Sequence, residues 1–139
     1  MTDSQPPAER GPRFRSWPRP QSDPSAPRID LTDQILGDLR QLAHDCGLVA
    51  ARGREHFLGP DGSVERHAAD GIVMNVQELC DRLPAAFRAA HPEVPWDQVR
   101  GMRNRAGHDY RATDYRIVWN VLEHGIPDLV RQVNAAPTQ

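Results

Sequence analysis

The chain contains no lysine: its 17 basic residues are all arginine. Alanine and proline are plentiful beside them, so the bias reads as base composition rather than as a functional device. It still means that any converging basic groups offer planar, bidentate contacts to phosphate. Aromatic residues are scarce at 6%, and no stretch reads as a strand. No apolar run approaches the roughly 20 residues that span a bilayer. The N-terminus lacks the hydrophobic core of a signal peptide. A cytoplasmic address without a membrane partner is therefore expected by elimination. The two cysteines, Cys46 and Cys80, fall at apolar helical positions and share no C-x-x-C spacing, which predicts buried free thiols. His44, His56, His67, His91 and His124 show no spacing that suits a common metal, so neither a metal site nor a cofactor is expected.

What is present suits one domain with one core: 139 residues, 38% hydrophobic and 26% charged. The net charge of -2 argues against a general nucleic-acid coat protein. Its distribution is uneven. Residues 1–28 carry five arginines against Asp3, Glu9 and Asp23, and residues 98–116 carry Arg100, Arg103, Arg105, Arg111 and Arg116 against Asp109 and Asp114. A basic spot on an acidic chain points to a localised anionic ligand.

Residues 1–28, rich in Pro and Arg with almost nothing to bury, are expected to form a disordered tail ahead of a helical domain at 29–135. Asp30 can cap a first helix whose stripe is Leu31, Ile35, Leu39, Leu42, Cys46 and Val49. Gly47 and the stretch from Gly53 to Gly62 interrupt that pattern. A second helix is predicted from Ser63, with Val64, Ala68, Ile72, Val76, Leu79 and Leu83 on one face, widened by Val73, Met74 and Cys80 into the centre of the packing. Pro84 opens a further turn that carries Phe87 and stops near His91-Pro92. A third helix fits Pro95 to about Gly107, stapled by Trp96, Val99 and Met102. Thr113 can cap a fourth, with Val118, Leu122, Ile126, Leu129 and Val133 inward and a bend at Gly125-Ile126-Pro127. Trp96 and Trp119 read as core. The expected fold is all-α, an up-down bundle of four to five helices.

Chemistry concentrates in Gly101-Met102-Arg103-Asn104-Arg105-Ala106-Gly107-His108-Asp109-Tyr110. An imidazole can take a proton from a ribose 2′-hydroxyl or return one to a leaving oxygen. A guanidinium can hold a phosphodiester and the charge that grows on it. Residues five apart on an ideal helix are rotated by roughly 140°, so Arg103 and His108 do not face one way. Either Gly107 ends the helix and lets His108 swing round, or a second chain completes the pair across a two-fold axis. A capping and salt-bridge pair at a helix end fits the same residues equally well.

The run from Ala90 to Val133 resembles the C-terminal half of the HepT-like proteins of the HEPN superfamily. The matching segments are His91-Pro92-Glu93-Val94-Pro95-Trp96, Gly101-Met102-Arg103-Asn104, His108-x-Tyr110, Asp114 with Ile117-Val118-Trp119, and Ile126-Pro127-x-Leu129. They contain the family pattern R-x4-H-x-Y with a polar residue after the Arg. The resemblance extends loosely back to Asp30, with Glu78 in the second helix, and leaves residues 1–28 uncovered. It implies a HEPN homodimer with the Arg/His motifs at the interface. It also implies a metal-independent endoribonuclease, the toxin of a type VII-like toxin–antitoxin pair. Arg103 and His108 would be catalytic, Asn104 supporting, and Arg100, Arg105 and Arg111 would bind RNA. The implied partner is an MntA-like minimal nucleotidyltransferase antitoxin that adenylylates Tyr110. This chain has neither a glycine-rich phosphate loop nor a paired-carboxylate nucleotidyltransferase motif, so it is not expected to be the adenylylating enzyme itself. The alternative is a non-catalytic HEPN dimerisation module that docks a nucleotidyltransferase. Two departures stand out: Arg105-Ala106-Gly107, where larger apolar residues are commoner, and Gln77-Glu78-Leu79, where a Gly-Glu-Ala step is.

Overall fold

The computed structural model describes residues 30–106 and 113–135, so the expected tail lies outside the described residues. The chain there folds into helices α1 (Thr32–Ala50), α2 (Arg54–Leu58), α3 (Ser63–Asp81), α4 (Ala85–Ala90), α5 (Trp96–Ala106) and α6 (Tyr115–Asn120). A π-helical turn (Val121–Gly125) then leads into α7 (Ile126–Asn134). No strand occurs among the described residues. The all-helical bundle read from the apolar periodicity is the fold.

The long helix α3 is the centre of the packing and touches α1, α2, α5 and α6. It buries Ala69, Ile72, Val73, Val76, Gln77 and Cys80, a broad stripe at steps of three and one. This face differs from the expected one at its edges. Val64 and Met74 are exposed, and Ala69 replaces Ala68 as the inward residue. Val64 sits five residues before Ala69, roughly 140° around the helix, and Met74 about 100° past Val73. Across from α3, α1 buries Ile35, Leu39 and Cys46 and runs unbroken through Gly47 to Ala50. Asp30, the expected cap, stands one residue outside the observed cap position at Leu31. Its Oδ1 accepts from the Thr32 N–H (2.9 Å) and the Thr32 hydroxyl (2.6 Å), and these bonds hold its carboxyl below the usual range. Leu31, expected inward, is exposed.

The stretch from Gly53 to Gly62 contains more than an interruption. Helix α2 forms inside it and plants Phe57, fully buried, against Trp119 (ring centroids 5.3 Å apart) and Tyr115 (6.2 Å). Two glycines make that insertion possible. Gly53 has φ +89°, and a Cβ on Gly62 would fall on the carbonyl oxygens of His56 and Phe57. Arg66 of α3 then closes the end of α2, its Nη1 donating to the carbonyls of Phe57 and Gly59, both at 2.7 Å.

Pro84 opens α4 and His91 ends it, the helix stop that was expected. The buried His91 ring stacks on Phe87 at 4.3 Å, with Nδ1 3.0 Å from the Phe87 carbonyl oxygen. In the last segment the expected stripe of Val118, Leu122, Ile126, Leu129 and Val133 is buried throughout. The predicted bend takes the form of the π-helical turn, in which the Ile126 N–H reaches back five residues to the Val121 carbonyl. This widened turn places Pro127 in the first turn of α7, where its missing N–H and fixed φ are tolerated. Cys46 and Cys80 are buried free thiols, and burial pushes each up to about 12.

Truncating Phe57 to Ala is expected to lower stability by about 3–5 kcal/mol, because its site between α3 and α6 cannot collapse. Val64→Ala should stay within about 0.5 kcal/mol. Urea unfolding checks both, and a mild Phe57→Ala would contradict the placement of α2.

Candidate functional site

Helix α5 carries the first part of the motif, and its sequence restricts how it can be held. Of its 11 residues, Val99 is buried and Trp96 and Met102 are half-buried, while Arg100 is exposed. Through Met102, one edge therefore meets the core, while Asp97, Gln98 and Arg100 stay with water. Polar contacts add to this narrow seat. The Trp96 indole Nε1 donates to the carbonyls of Arg88 (3.1 Å) and His91 (3.0 Å), tying the start of α5 to the end of α4. Gln77 of α3 donates its Nε2 to the Arg100 carbonyl at 3.0 Å. The expected functional residues Arg103, Asn104 and Arg105 occupy the last turn of α5. His108, Tyr110 and Arg111 lie outside the described residues.

On the far side of the motif, α6 begins at a cap that sequence reasoning misplaced by one residue. Asp114, not Thr113, is the N-cap, and its carboxylate accepts from the Arg116 N–H at 3.0 Å. The Arg116 side chain adds Nε (3.1 Å) and Nη2 (3.0 Å) to the same carboxylate. These side-chain bonds, and then the backbone bond, hold the Asp114 carboxyl below its usual value and raise Arg116. One residue further, the Tyr115 hydroxyl donates to Asp70 Oδ2 of α3 at 2.8 Å, and the Arg66 guanidinium lies 5.7 Å from the Tyr115 ring centroid. Helix α6 therefore starts from a fixed point on α3.

Arg116 and Asp114 neutralise each other, and so both drop out of the local charge. Arg100, Arg103, Arg105 and Arg111 remain against Asp109, an excess of three positive charges in the sequence between Arg100 and Arg111. Beside this segment an apolar groove of about 340 Å³ runs between α5 and the α6–α7 strip, with Val99, Met102, Ile117, Val121 and Leu129 in its walls and Val73 beneath. Ile117 is half-exposed there. A second cluster of titratable groups joins α2 and α3: Glu65 Oε1 lies 3.0 Å from Arg52 Nη1 and 3.1 Å from His56 Nε2. The His56 contact is close but poorly aligned for a hydrogen bond. Arg52 chiefly, then a backbone N–H and His56, hold the Glu65 carboxyl down at about 2. That cluster reads as a surface ion pair. No group of three or more His, Cys, Asp or Glu side chains that could hold a metal occurs among the described residues. No helix among them is long and apolar enough to cross a membrane.

Sequence reasoning missed Gln77, Asp70 and the two indole contacts. Gln77 was visible as a polar residue one step after Val76 inside an apolar stripe. The Asp70–Tyr115 bond joins residues 45 apart, and no local pattern announces it.

Comparison with known proteins bears on what these residues do. A family model described as Ribonuclease HepT-like matches residues 39–136. Over 58 residues the chain is 40% identical to the "Putative RNase" of Caldanaerobacter subterraneus subsp. tengcongensis, covering 42% of this chain and 52% of that protein. It is 33% identical over 54 residues to the "Probable ribonuclease HepT" of Thermococcus cleftensis, covering 39% and 49%. A "Putative RNase" of Methanocaldococcus jannaschii is 28% identical over 57 residues, covering 41% and 49%. The chain spans about half the length of the curated relatives it matches. No solved structure matches it.

The cap at Asp114 gives a pH prediction. A depressed carboxyl stabilises the fold above the unfolded value of 3.8, and that contribution is lost as pH falls through the lower folded value. Asp114→Asn keeps the cap and deletes the charge. Its melting temperature should lie slightly below that of the wild type at neutral pH and converge with it in acid. Asp114→Ala should be the least stable of the three at neutral pH. A gap between wild type and Asn that persists in strong acid would show that charge plays no part.

Proposed function

Because this chain belongs to the HepT-like family, with residues 39–136 matched, we propose that it is a metal-independent endoribonuclease acting through Arg103 and His108. The observation that carries this reading is the intact Arg103-Asn104…His108-x-Tyr110 pattern inside the matched span, beginning in the last turn of α5, one turn after the exposed Arg100. In the proposed reaction His108 takes the proton of a ribose 2′-hydroxyl. The freed oxygen attacks the adjacent phosphorus to close a 2′,3′-cyclic phosphate, and the bond to the 5′-oxygen breaks as that oxygen takes a proton from the imidazolium, so the strand breaks without an added nucleophile. Arg103 holds the phosphate and balances the charge that builds on its oxygens. Asn104 supports that pair, and Arg100, Arg105 and Arg111 hold flanking phosphates. Imidazole and guanidinium suffice for these steps, so no metal is invoked. The 140° between Arg103 and His108 on a continuous helix supports a homodimer built on α5 and the α6–α7 strip, where half-exposed Ile117 offers an apolar contact. The chain acts as the toxin of a pair whose MntA-like nucleotidyltransferase silences it by adenylylating Tyr110.

His108→Ala and Arg103→Ala are each expected to cut cleavage of an oligoribonucleotide by about 10²- to 10⁴-fold while the helical circular dichroism stays intact. A chelator should leave the wild-type rate unchanged, and light scattering on the same sample should give the mass of two chains. Activity in His108→Ala equal to wild type would sink the catalytic assignment. A rate lost to chelator and restored by a divalent ion would sink the metal-independent mechanism.

Adenylylation places a bulky, negatively charged phosphate two residues from His108, where it repels RNA and engages the nearby arginines. After co-expression with the nucleotidyltransferase, intact mass should show added AMP in the wild-type chain and none in Tyr110→Phe. Full neutralisation of an unmodified chain would instead mean inhibition by binding alone.

A further inference from the structure

Gln77 is an odd residue to find where it is. It is only 8% exposed and sits between Val76 and Cys80 in the apolar stripe of α3. Its Nε2 donates to the Arg100 carbonyl, but its buried Oε1 has no hydrogen-bond partner among the described residues. A buried unsatisfied acceptor is costly, and an unbranched apolar side chain of the same length would fill the space without that deficit. As packing alone, the amide is a poor choice. Its one bond, however, reaches a particular place. An α-helical carbonyl already accepts the N–H four residues on, here that of Asn104, so the second donor from α3 pins the peptide that leads into the motif turn. Arg103 and Asn104 follow Arg100 by three and four positions, on the same side of the helix one turn later. The apolar anchors Val99 and Met102 lie on a neighbouring edge, and a helix held along one edge can roll about it. The amide blocks that roll.

We propose that Gln77 is a positioning residue for Arg103: its bond to the Arg100 carbonyl fixes the rotation of the last turn of α5 on α3. The inference rests on the ribonuclease reading above. Displacement of a reacting group by about 1 Å can cost on the order of 10²-fold in rate, so a small roll at Arg100 is enough to matter.

Two full-length variants test it beside wild type and His108→Ala. Gln77→Met keeps length and volume and removes the donor. It should melt no lower than wild type and hold KM for an oligoribonucleotide near the wild-type value, yet lose about 10- to 100-fold in kcat. Gln77→Glu can donate to the carbonyl only when protonated, and burial raises its pKa. Its kcat relative to wild type should therefore recover as pH falls, while the Gln77→Met ratio stays flat. Wild-type kcat in a folded Gln77→Met overturns the proposal. If Gln77→Met does not fold, Gln77→Glu decides: recovery in acid supports the proposal and a flat ratio overturns it. A wild-type chain that cleaves no better than His108→Ala defeats the ribonuclease reading, and the proposal with it. Active wild type with undiminished Gln77 variants defeats the proposal alone.

Discussion

A helix rich in arginine has little apolar surface with which to hold itself in place. This conflict governs α5, and much of the surrounding structure resolves it. Burying another of its side chains would tighten the seat but would withdraw a cation or introduce an exposed apolar gap. The fold instead grips α5 and its approach by backbone carbonyls. The Trp96 indole takes those of Arg88 and His91, and Gln77 takes that of Arg100. Contacts of this kind fix position without consuming the side chains of the motif. The stop at His91, the stacked Phe87 ring and the half-buried Trp96 form the corner from which α5 departs.

The same economy of charge appears at α6. Its N-terminus needs an acceptor for its first N–H groups, and an acid beside a basic site would normally weaken that site. Asp114 fills the role and is itself covered by Arg116 through a two-pronged contact. The cap therefore adds almost nothing to the net charge around it. Arg66 shows a related tactic in the interior of the α2–α3 corner: a single guanidinium ends one helix and lies over the ring of Tyr115 that opens another.

What could be read from the sequence follows the range of each interaction. The four principal helices, the core stripe of α6–α7 and the stop at His91-Pro92 depend on residues three or four apart, and all were legible. So was the motif that places the chain in its family. The stripe of α3 was read with its edges shifted, because an amphipathic face has no sharp border and Val64 and Met74 lie just beyond it. Helix α2 falls in a stretch that reads only as an interruption, because five residues between glycines carry no period. Phe57 is inward only because Tyr115 and Trp119, some sixty residues later, are there to receive it. The cap at Asp114 and the Gln77 contact are likewise settled by partners in space.

The widened turn at Val121–Gly125 also limits which changes the end of the chain can accept. A π-helical turn is an α-helix with one extra residue, so deleting that residue would leave α6 and α7 in the same rotational phase on either side. Pro127, however, would then stand inside one continuous α-helix, its ring against the carbonyl four residues back, at about 3 kcal/mol or more. Replacing the proline while keeping the extra residue carries no such clash. The dependence runs one way: the proline needs the extra residue, and the extra residue does not need the proline. With Pro127 present, the turn cannot be lost by a single deletion without that clash.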